Sequence, residues 1–546
     1  MVKKIVRLYH TVKYLKLKQI FWRIFKVLPR FISELNFYPK INFNQQPNDF
    51  IQRKLITSDF TYFTFLNETY NLSEVGWDNN NISKLWRYNL HYFDYLLQDK
   101  NVSNIQIKCQ IDLIENWISN NAFGKGTAWE PYPTSVRIIN WIKWHKLCSG
   151  LTQRAKLSLW NQTRWLAARP EYHLMGNHLF LNAKALFFST ALFQLNENNK
   201  IYKTAISILD NELDEQFLSD GAHFELSPMY HSLAMEDLID LLSISKDLPL
   251  TFPKEKIRIK FLKGMEWLKT MIYNNEELSH FNDCANGIAP KYSELKSYAN
   301  NLGFDLSSQK KNNLYYHAAS GFIVFHDNIS HLIADVGQIG PVYLPGHAHA
   351  DTLSFEIAIS GQRIIVNSGT SVYGISLERL RQRGTKAHST IEIDDQNSSE
   401  VWSGFRVARR ALPFNIEISP ETLQKNNVNF NASHDGYKRL KHNPIHKRTW
   451  IFNKKEWFIE DEISGKNNYI ISRYYLHPDL HIKDICNGYV VSNNNSTLAS
   501  ITFLNETNIE LIDSTYHDEF GVTRLNKCIQ LKATSPCKIT VKIEIL

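Results

Sequence analysis

Apolar residues recur at helical spacing from about residue 86 to about residue 275, in segments separated by short polar loops. After a first aromatic segment at 86–96, the pattern predicts helices at 104–121, 134–148, 153–169, 177–195, 200–216, 231–246 and 254–274. No strand pattern interrupts this series, and no strict repeat demands a regular solenoid. The periodicity therefore predicts an α-helical domain over residues 84–312.

The pattern changes from residue 313 onward, where short β-branched and aromatic runs alternate with turns rich in Asn, Asp and Gly. The clearest hairpin has a strand at 354–359, a two-residue turn at Ser360 and Gly361, and a returning strand at 363–366. Similar runs recur to the end of the chain. They predict an antiparallel β-sandwich over residues 313–546, and with it an α+β multidomain protein.

Residues 1–83 form a third predicted region. A basic amphipathic helix is expected at 5–28, followed by a linking or wrapping segment at 37–83 that is rich in Asn, Pro and Phe. The helix either packs onto the following domain or adheres to an acidic membrane surface. Because lysine and arginine interrupt every apolar run here, we expect neither a secretory signal nor a membrane span, and a cytoplasmic location by default.

Composition narrows the choice of partner. The 546 residues are 43% hydrophobic and 21% charged, which is typical of globular proteins, and the formal net charge is +8. A mild positive charge is compatible with an acidic polymer. The sequence contains no zinc-finger, RNP-like or phosphate-loop motif, so nucleic acid is not the expected partner. The six cysteines lack a Cys-x-x-Cys pair and are interpreted as ordinary thiols, with a Cys528–Cys537 disulfide left open.

The sheet region carries the most concentrated candidate chemistry. In an extended strand, His347, His349 and Asp351 share one face, because alternate residues point the same way. The predicted hairpin returns Asn367 to the same end, and His388 follows a basic segment. Clustered His and Asp side chains are costly to bury, so the pattern leaves a functional cluster and a hydrogen-bonded structural one about equally open.

Two loops of the helical region carry further polar groups at helix starts. Asn177 and His178 begin one helix, where Asn also serves as an ordinary cap. Glu225 precedes the start of another helix that carries Tyr230 and His231.

In chain order, these motifs resemble the heparinase II/III-like family of polysaccharide lyases and its alginate-lyase relatives. The resemblance rests on Asn177-His178 and Glu225-x-x-x-x-Tyr230-His231 in the helical half, and on Gly346-His347-x-His349-x-Asp351 and Gly-Thr-x-Ala-His388 in the other half. It covers about residues 84–450 and is strongest at 346–400. It implies an N-terminal incomplete (α/α) toroid followed by a C-terminal antiparallel β-sandwich, with the active site in the cleft between them. It also leaves a periplasmic location open beside the cytoplasmic default.

The resemblance also implies catalytic roles. Asn177, with His178, would hold the carboxyl group of a uronic acid while negative charge develops at C5. Tyr230 would be the proton-transfer residue, and His347 would be the partner base or the group that keeps Tyr230 in the right state. The expected reaction is β-elimination from an anionic polysaccharide that contains uronic acid.

The family often holds a structural zinc through His, Asp and His. His349 and His388 match the two imidazoles, but Asn367 stands at the aspartate position, and a neutral amide is a poor zinc ligand. Either Asp351 completes the zinc site or the cluster is metal-free.

Basic and aromatic side chains are the expected substrate contacts. Arginines would bind carboxylates or sulfates and aromatic rings would stack on sugar faces; the candidates are Arg87, Arg137, Trp129, Tyr132, His231, Arg379, Arg383 and Trp402. Two alternatives to a lyase stay open. One is a non-catalytic or altered-chemistry glycan-binding protein of surface-polysaccharide metabolism, and the other is a metal-dependent glycan hydrolase.

Overall fold

The computed structural model describes residues 2–26, 31–41, 50–53, 56–57, 59–98, 102–246, 248, 251–306, 313–419, 427–453, 455–504 and 508–546. The predicted end of the N-terminal helix at residues 27–28, and residue 312 at the predicted domain boundary, lie outside the described residues.

Helices make up most of the N-terminal half, and their bounds lie close to the predicted ones. They are α1 (Val2–Val12), α2 (Leu17–Phe25), α3 (Leu72–Val75), α4 (Lys84–Tyr92), α5 (Asn104–Asn120), α6 (Pro131–Cys148), α7 (Gln153–Ala167), α8 (Gly176–Leu192), α9 (Lys200–Gln216), α10 (Pro228–Ile244), α11 (Lys254–Thr270) and α12 (Tyr292–Asn301). Side-chain caps fix several starts, as the sequence suggests. Ser103 forms a capping box with Gln106 at the start of α5. The apolar faces of these helices share one core that includes Trp86, Trp117 and Trp141.

The wrapping segment differs from its prediction, because it contains a short antiparallel hairpin of β1 (Tyr62–Phe65) and β2 (Glu68–Asn71). The alternation of exposed and buried residues along β1 places Phe63 and Phe65 in the helical core. Leu66 and Asn67 both have positive φ, which is the conformation of a two-residue hairpin turn.

The C-terminal half consists of strands, with one short helix, α13 (Leu377–Gln382). The strands are β3 (Leu314–His317), β4 (Phe322–His326), β5 (Ser330–Asp335), β6 (Phe355–Ile359), β7 (Gln362–Val366), β8 (Ile391–Ile393), β9 (Val401–Trp402), β10 (Arg406–Val407), β11 (Pro413–Ile418), β12 (Asn427–His434), β13 (His446–Asn453), β14 (Glu456–Ile463), β15 (Tyr469–Leu476), β16 (His481–Ile485), β17 (Gly488–Ser492), β18 (Thr497–Leu504), β19 (Ile509–Tyr516), β20 (Arg524–Thr534) and β21 (Cys537–Ile545). The last described helix of the N-terminal half thus ends at Asn301, and β3 begins at Leu314.

Two large antiparallel sheets are formed by these strands. One has the order β11-β12-β13-β14-β21-β18-β17-β16, and the other has the order β19-β20-β15-β7-β6-β5-β4-β3 with β8 paired to β15. Side chains of both sheets share one buried apolar cluster. Phe325 of β4, for example, lies 5.5 Å from Trp457 of β14, measured between ring centroids. The alternating apolar residues of each strand therefore meet between the sheets.

The predicted hairpin is confirmed as β6 and β7. Its turn residues, Ser360 and Gly361, have φ values of 51° and 82°. Positive φ at both central residues is the requirement of a type I′ turn, which matches the twist of the flanking strands. The turn returns the chain so that Asn367 follows directly after β7.

The two halves meet along the loop that follows α11. Phe281 in this loop and Trp267 in α11 belong to an apolar cluster that includes Phe322 and Val324 of β4. Backbone hydrogen bonds also cross the junction, from Asp283 N to His347 O and from Asn286 N to Asp518 O. The loop at 277–286 is therefore fixed to the sheet half.

Among the described helices, none is both long enough and apolar enough to cross a bilayer.

Candidate active site

Tyr230 lies at the start of α10, where the two halves of the protein face each other. Ser227 caps this helix by accepting a hydrogen bond from the Tyr230 backbone N–H. The Tyr230 hydroxyl lies 2.9 Å from the hydroxyl of Tyr373, which comes from the sheet half. The Tyr230 ring is 4.1 Å from the ring of His347. Burial and the neighbouring Tyr373 hold the pKa of Tyr230 well above its usual value, so the phenol carries its proton.

Asp283 is the charged centre of this junction. Its fully buried carboxylate accepts hydrogen bonds from both terminal nitrogens of Arg379, with 2.6 Å between Nη2 and Oδ2. His347 Nδ1 and His349 Nε2 each lie 2.8 Å from its oxygens. Burial alone would raise the pKa of Asp283, but Arg379 and the histidine N–H groups hold it well below its usual range. Asp283 is therefore an acceptor that fixes the orientation of both histidine rings.

His347 is the histidine that faces the open side of the site, with 17% of its side chain exposed. Because ionised Asp283 can only accept, Nδ1 of His347 must carry a proton. In the neutral ring, Nε2 then carries a lone pair, which is the form of a general base. The ring is enclosed by Tyr230 and Tyr373, and by Phe405 at a centroid distance of 5.9 Å.

Glu225 is a buried carboxyl group beside Nε2 of His347. Its Oε2 atom lies 4.0 Å from His347 Nε2, and only 1% of the residue is exposed. Among the described residues, no group makes a hydrogen bond of ordinary geometry to either carboxyl oxygen, although the Asn177 backbone N–H is close enough to lower the pKa of Glu225. Burial raises the pKa of Glu225, against the opposing effect of His347. The site thus pairs a lowered carboxyl pKa at Asp283 with a raised one at Glu225.

Asn177 and His178 lie at the start of α8, on the helical side of the site. His178 Nδ1 is 3.2 Å from Oε2 of the buried Glu171, and its ring is 4.4 Å from the ring of Tyr132. Burial would lower the pKa of His178, but the Glu171 carboxylate raises it above its usual value. Asn177, Tyr132 and Tyr230 line one cavity. The structure therefore brings Asn177, His178, Tyr132, Tyr230 and His347 together.

A second, deeper histidine cluster lies behind Asp283. His349 Nδ1 and His388 Nε2 are 3.3 Å apart, and both rings are buried. His349 uses its Nε2–H to donate to Asp283, and His388 donates its Nδ1–H to Asn367 Oδ1, which also accepts from the Ser389 backbone N–H. Two lone pairs therefore face each other, consistent with burial lowering the pKa of His349 to about 4.

A second histidine pair of the sheet half, His434 and His446, is arranged differently. His434 Nδ1 accepts from Gly436 N–H, so its Nε2–H can donate to His446 Nδ1 at 3.2 Å, and His446 Nε2–H donates to Asp461. Every nitrogen of that relay has a matching partner without a metal. The facing lone pairs of His349 and His388 have no such proton between them.

Asp351 completes a set of three possible metal ligands with His349 and His388, since their ligand atoms lie within 4.8 Å of one another. Burial raises the pKa of Asp351 to about 6. The pKa of the neighbouring Asp335 is also raised, by burial and by the charge of Asp351. A cation would relieve this buried acidic pair. Two imidazoles and a carboxylate fit Zn²⁺, so the residues present are compatible with the ion that the resemblance implies. Asn367 is corrected from ligand to orienting residue, because its oxygen is used by His388 and Ser389.

The expected strand through His347, His349 and Asp351 is wrong. These residues lie in a loop, and β6 begins only at Phe355. The backbone turns because Ser354 N–H donates to the Asp351 carbonyl and Leu353 has a φ of 62°. The two histidines still point to one place, because both bind Asp283.

Three of the expected substrate contacts from the helical half are corrected, because their side chains are buried and make their contacts within the core. Arg137 is fully buried over the Trp117 ring and donates to Gln162 Oε1 and to backbone carbonyls. Trp129 is buried in an aromatic cluster. His231 is also fully buried, and its two ring nitrogens are bonded to the His223 N–H and the Gly264 carbonyl.

The other three arginines that were expected to bind substrate are also corrected. Arg87 binds Asp78 at 2.6 Å and also donates to Asn80 and Thr127, so its charge is paired. Arg379 is fully buried on Asp283, and Arg383 is fully buried while donating to the Ala348 carbonyl. Both of the latter position the histidine loop and do not reach the open side.

Two residues that the sequence did not single out are central to the geometry. Asp283 was part of a polar loop, Phe-Asn-Asp-Cys-Ala-Asn-Gly, whose only visible signal was its position at the end of the helical region. Tyr373 follows the Asn-Ser-Gly-Thr element after β7 and carried no signal of its own. Both become recognisable only when the two halves are in contact.

The chain thus has a helical half joined to two packed antiparallel sheets, with a tyrosine–histidine–carboxylate cluster at the junction, and solved heparinase structures share this fold. A crystal structure of heparinase III aligns over 97% of this chain and 88% of its own, with 17% identity and a TM-score of 0.69. A heparan sulfate lyase from Pedobacter heparinus aligns over 89% and 81%, with 17% identity and a TM-score of 0.59. These likenesses show the fold.

The chain belongs to the heparinase II/III family. Residues 11–304 match the Heparinase II/III N-terminus and residues 309–542 match the Heparinase II/III-like C-terminal region. A heparin-sulfate lyase of Bacteroides stercoris is 26% identical over 332 residues, which is 56% of this chain and 46% of that protein. The match to a heparin-sulfate lyase of Pedobacter heparinus, also at 26% identity, spans 41% of this chain and 37% of the relative. The matched segments thus span half or less of these curated relatives.

Proposed function

We propose that this protein is a polysaccharide lyase that cleaves an anionic polysaccharide containing uronic acid by β-elimination. The observation that carries the proposal is the Tyr230–Tyr373–His347 group, in which a protonated phenol and an imidazole with a free lone pair face the same space. The names of the related heparin-sulfate lyases support this substrate class.

The reaction must first make the C5 proton of the uronic acid removable. An ionised carboxylate beside C5 opposes removal, so donors or positive charge must stabilise the charge that moves onto it. Asn177 and His178 lie on one side of the site, and Glu171 keeps His178 more readily protonated than a free histidine. These two residues would bind the carboxyl group.

Proton transfer then divides between the remaining residues. His347 Nε2, whose lone pair is set by the Nδ1–H bond to Asp283, would take the C5 proton, while the Tyr230 phenol would give its proton to the oxygen on C4. The C5–H and C4–O bonds break, a C4–C5 double bond forms, and the leaving sugar departs as an alcohol. Tyr373 would hold the Tyr230 hydroxyl in place and exchange a proton with it through their 2.9 Å contact. In the alternative assignment, Tyr230 itself acts as both base and acid.

We also propose the arrangement of helices and sheets that the family resemblance implies. The helices would form an incomplete (α/α) toroid and the two sheets a β-sandwich, with the polysaccharide lying in the cleft between them. Tyr132, half-buried beside His178, is the sequence-predicted aromatic contact that we retain for a sugar ring.

We also propose that His349, Asp351 and His388 hold a structural zinc ion. When bound, the ion would supply positive charge to this cluster. Because its ligands come from the histidine loop and from the segment before β8, it would hold the two together. Through the Asp283–His349 hydrogen bond, these residues would stiffen the support of His347.

The test is the ultraviolet absorbance of unsaturated uronate while purified protein is mixed with a panel of uronate polymers. Tyr230→Phe removes one hydroxyl and should lower kcat by a hundredfold to ten-thousandfold, the usual range for one acid–base group. Tyr437→Phe is the matched control, because its buried hydroxyl binds the Ile391 carbonyl within the sheet half, and it should keep activity.

Retained activity in Tyr230→Phe would refute the assignment. Binding without any rise in absorbance would favour a non-catalytic glycan-binding protein. Saturated products formed only with a metal would favour a hydrolase.

A further inference from the structure

The two N-terminal helices expose apolar side chains on the face turned away from the rest of the protein. The exposed positions follow the same helical spacing in both, namely Ile5, Leu8, Tyr9 and Val12 in α1, and Leu17, Ile20, Phe21 and Ile24 in α2. Leu17 is 85% exposed and Ile24 67%. Residues with this spacing form one continuous stripe along a helix.

The opposite face attaches the helices to the body through polar groups and through Trp22, whose ring stacks on Tyr172 at a centroid distance of 4.9 Å. Gln19 is fully buried and donates to the Leu174 carbonyl, and Lys16 forms an ion pair with Glu215. Thr11 Oγ1 accepts from Trp402 Nε1 at 3.1 Å. A helix that merely covers a domain buries its apolar stripe and exposes its polar face. Here the apolar stripe is exposed instead, so it is left for a partner.

The charge of this segment identifies the kind of partner. Nine of the 62 lysines and arginines lie in residues 1–33, which contain none of the 54 aspartates and glutamates. The rest of the chain therefore has a formal charge of −1, and the whole positive excess belongs to this segment. Lys4 and Arg7 lie on α1 beside the apolar stripe, whereas Lys18 of α2 places its Nζ 5.0 Å from the centre of the Tyr172 ring.

We infer that α1 and α2 form a docking face for an anionic lipid surface, in which the apolar stripe enters the headgroup region and the basic side chains bind lipid phosphates. Helices with an apolar face, many basic residues and no acidic ones lie in the membrane interface in this way. A second copy of the chain is a poorer occupant, because it would bring its own basic helix against this one. The inference does not depend on the proposed lyase activity.

The docking face adjoins the candidate active site. Trp402, which donates to Thr11, belongs to the hairpin of β9 and β10, and Phe405 in its turn packs against His347 and Tyr373. A protein bound through α1 and α2 would therefore hold this site next to the lipid surface.

The experiment is co-sedimentation of the full chain with vesicles of phosphatidylcholine alone or of phosphatidylcholine mixed with phosphatidylglycerol. We expect binding to the mixed vesicles, much weaker binding to phosphatidylcholine alone, and release by high salt. Each basic residue near the surface should contribute about fivefold to the partition coefficient. The double variant Lys4→Gln/Arg7→Gln should therefore bind about 25-fold more weakly.

The stripe itself is tested by Leu17→Glu/Ile24→Glu, which removes two apolar contacts and adds two negative charges, and so should lower binding by more than about 25-fold. Leu525→Glu is the matched control, because Leu525 is 81% exposed on β20 in the other half of the protein, and it should bind like the unaltered chain. Circular dichroism verifies that each variant is folded.

Equal binding to both kinds of vesicle, or no binding to the anionic ones, would overturn the inference. So would self-association in solution that Leu17→Glu/Ile24→Glu abolishes, because a second copy would then be the occupant of the face.

Discussion

Replacing Asp283 with Asn should separate the role of its carboxylate in catalysis from its role in stability. Oδ1 of Asp283 has three donors, from Arg379, His349 and Thr370, whereas Oδ2 has two, from Arg379 and His347. The new amide NH₂ should take the place of Oδ2, where it loses fewer hydrogen bonds. His347 Nδ1 would then have to accept, and its proton would move to Nε2.

The consequence for the reaction is the loss of the base, because Nε2 would no longer carry a lone pair. The corresponding Asp→Asn change behind the histidine of a serine protease lowers kcat about ten-thousandfold by the same change of tautomer. We expect a similar loss here, equivalent to about 5 kcal/mol of transition-state stabilisation. The absorbance assay with a uronate polymer measures it.

Stability is expected to fall as well, because Arg379 would keep its buried charge without a full counter-charge. Breaking a buried ion pair costs about 3–5 kcal/mol. Asp461→Asn is the matched control. Asp461 is also fully buried and accepts from one arginine, Arg448, and one histidine, His446, but lies within the sheet half.

Both variants should therefore melt at lower temperature, and only Asp283→Asn should lose activity below its melting point. An Asp283→Asn variant with kcat within tenfold of the unaltered protein would refute the reasoning about the His347 tautomer. Equal loss of activity in Asp461→Asn would show that the effect is one of stability.

Three further outcomes are expected. Tyr373→Phe removes the 2.9 Å contact to Tyr230 and should lower kcat, with KM little changed, by about tenfold to a hundredfold in the absorbance assay. A chelator should lower the melting temperature of the unaltered protein but leave that of His388→Ala unchanged. Zinc analysis should find the metal in the unaltered protein and not in His388→Ala. Burial lowers the pKa of His231 to about 4, so protonation favours the unfolded chain as pH falls below about 6.5. The free energy of unfolding should therefore be about 2 kcal/mol lower near pH 5 than at neutral pH. Calorimetry at these two pH values should show a smaller decrease in His231→Gln.

The fold was largely predictable because its signals are local. The helices from α5 to α11 follow from apolar spacing and from caps such as Ser103, and Ser360-Gly361 specifies its turn by itself. The strand expected through His347 and His349 failed for a physical reason. The alternating residues His347 and His349 do point to one place, but they do so from a loop folded around Asp283, a residue of the helical half.

The candidate site was only partly predictable, because its parts come from distant segments. Tyr230, His347, Asn177 and His178 were identified from motifs, and the structure brings them together. Tyr373 and Asp283 act through contacts with those residues, which no local pattern displays. Arg137 was predicted to contact the substrate and instead lies in the core. A basic residue among aromatic ones also fits a core in which backbone carbonyl groups accept its hydrogen bonds.

The position of Asp283 has a consequence for how the protein would lose function on heating. Its carboxylate comes from the last loop of the helical half, while Arg379, His347 and His349 come from the sheet half. Each half has its own apolar core, so separation of the halves would first leave Arg379 without its counter-charge and free both histidine rings. Inactivation should therefore report undocking of the halves and begin before the melting of either one.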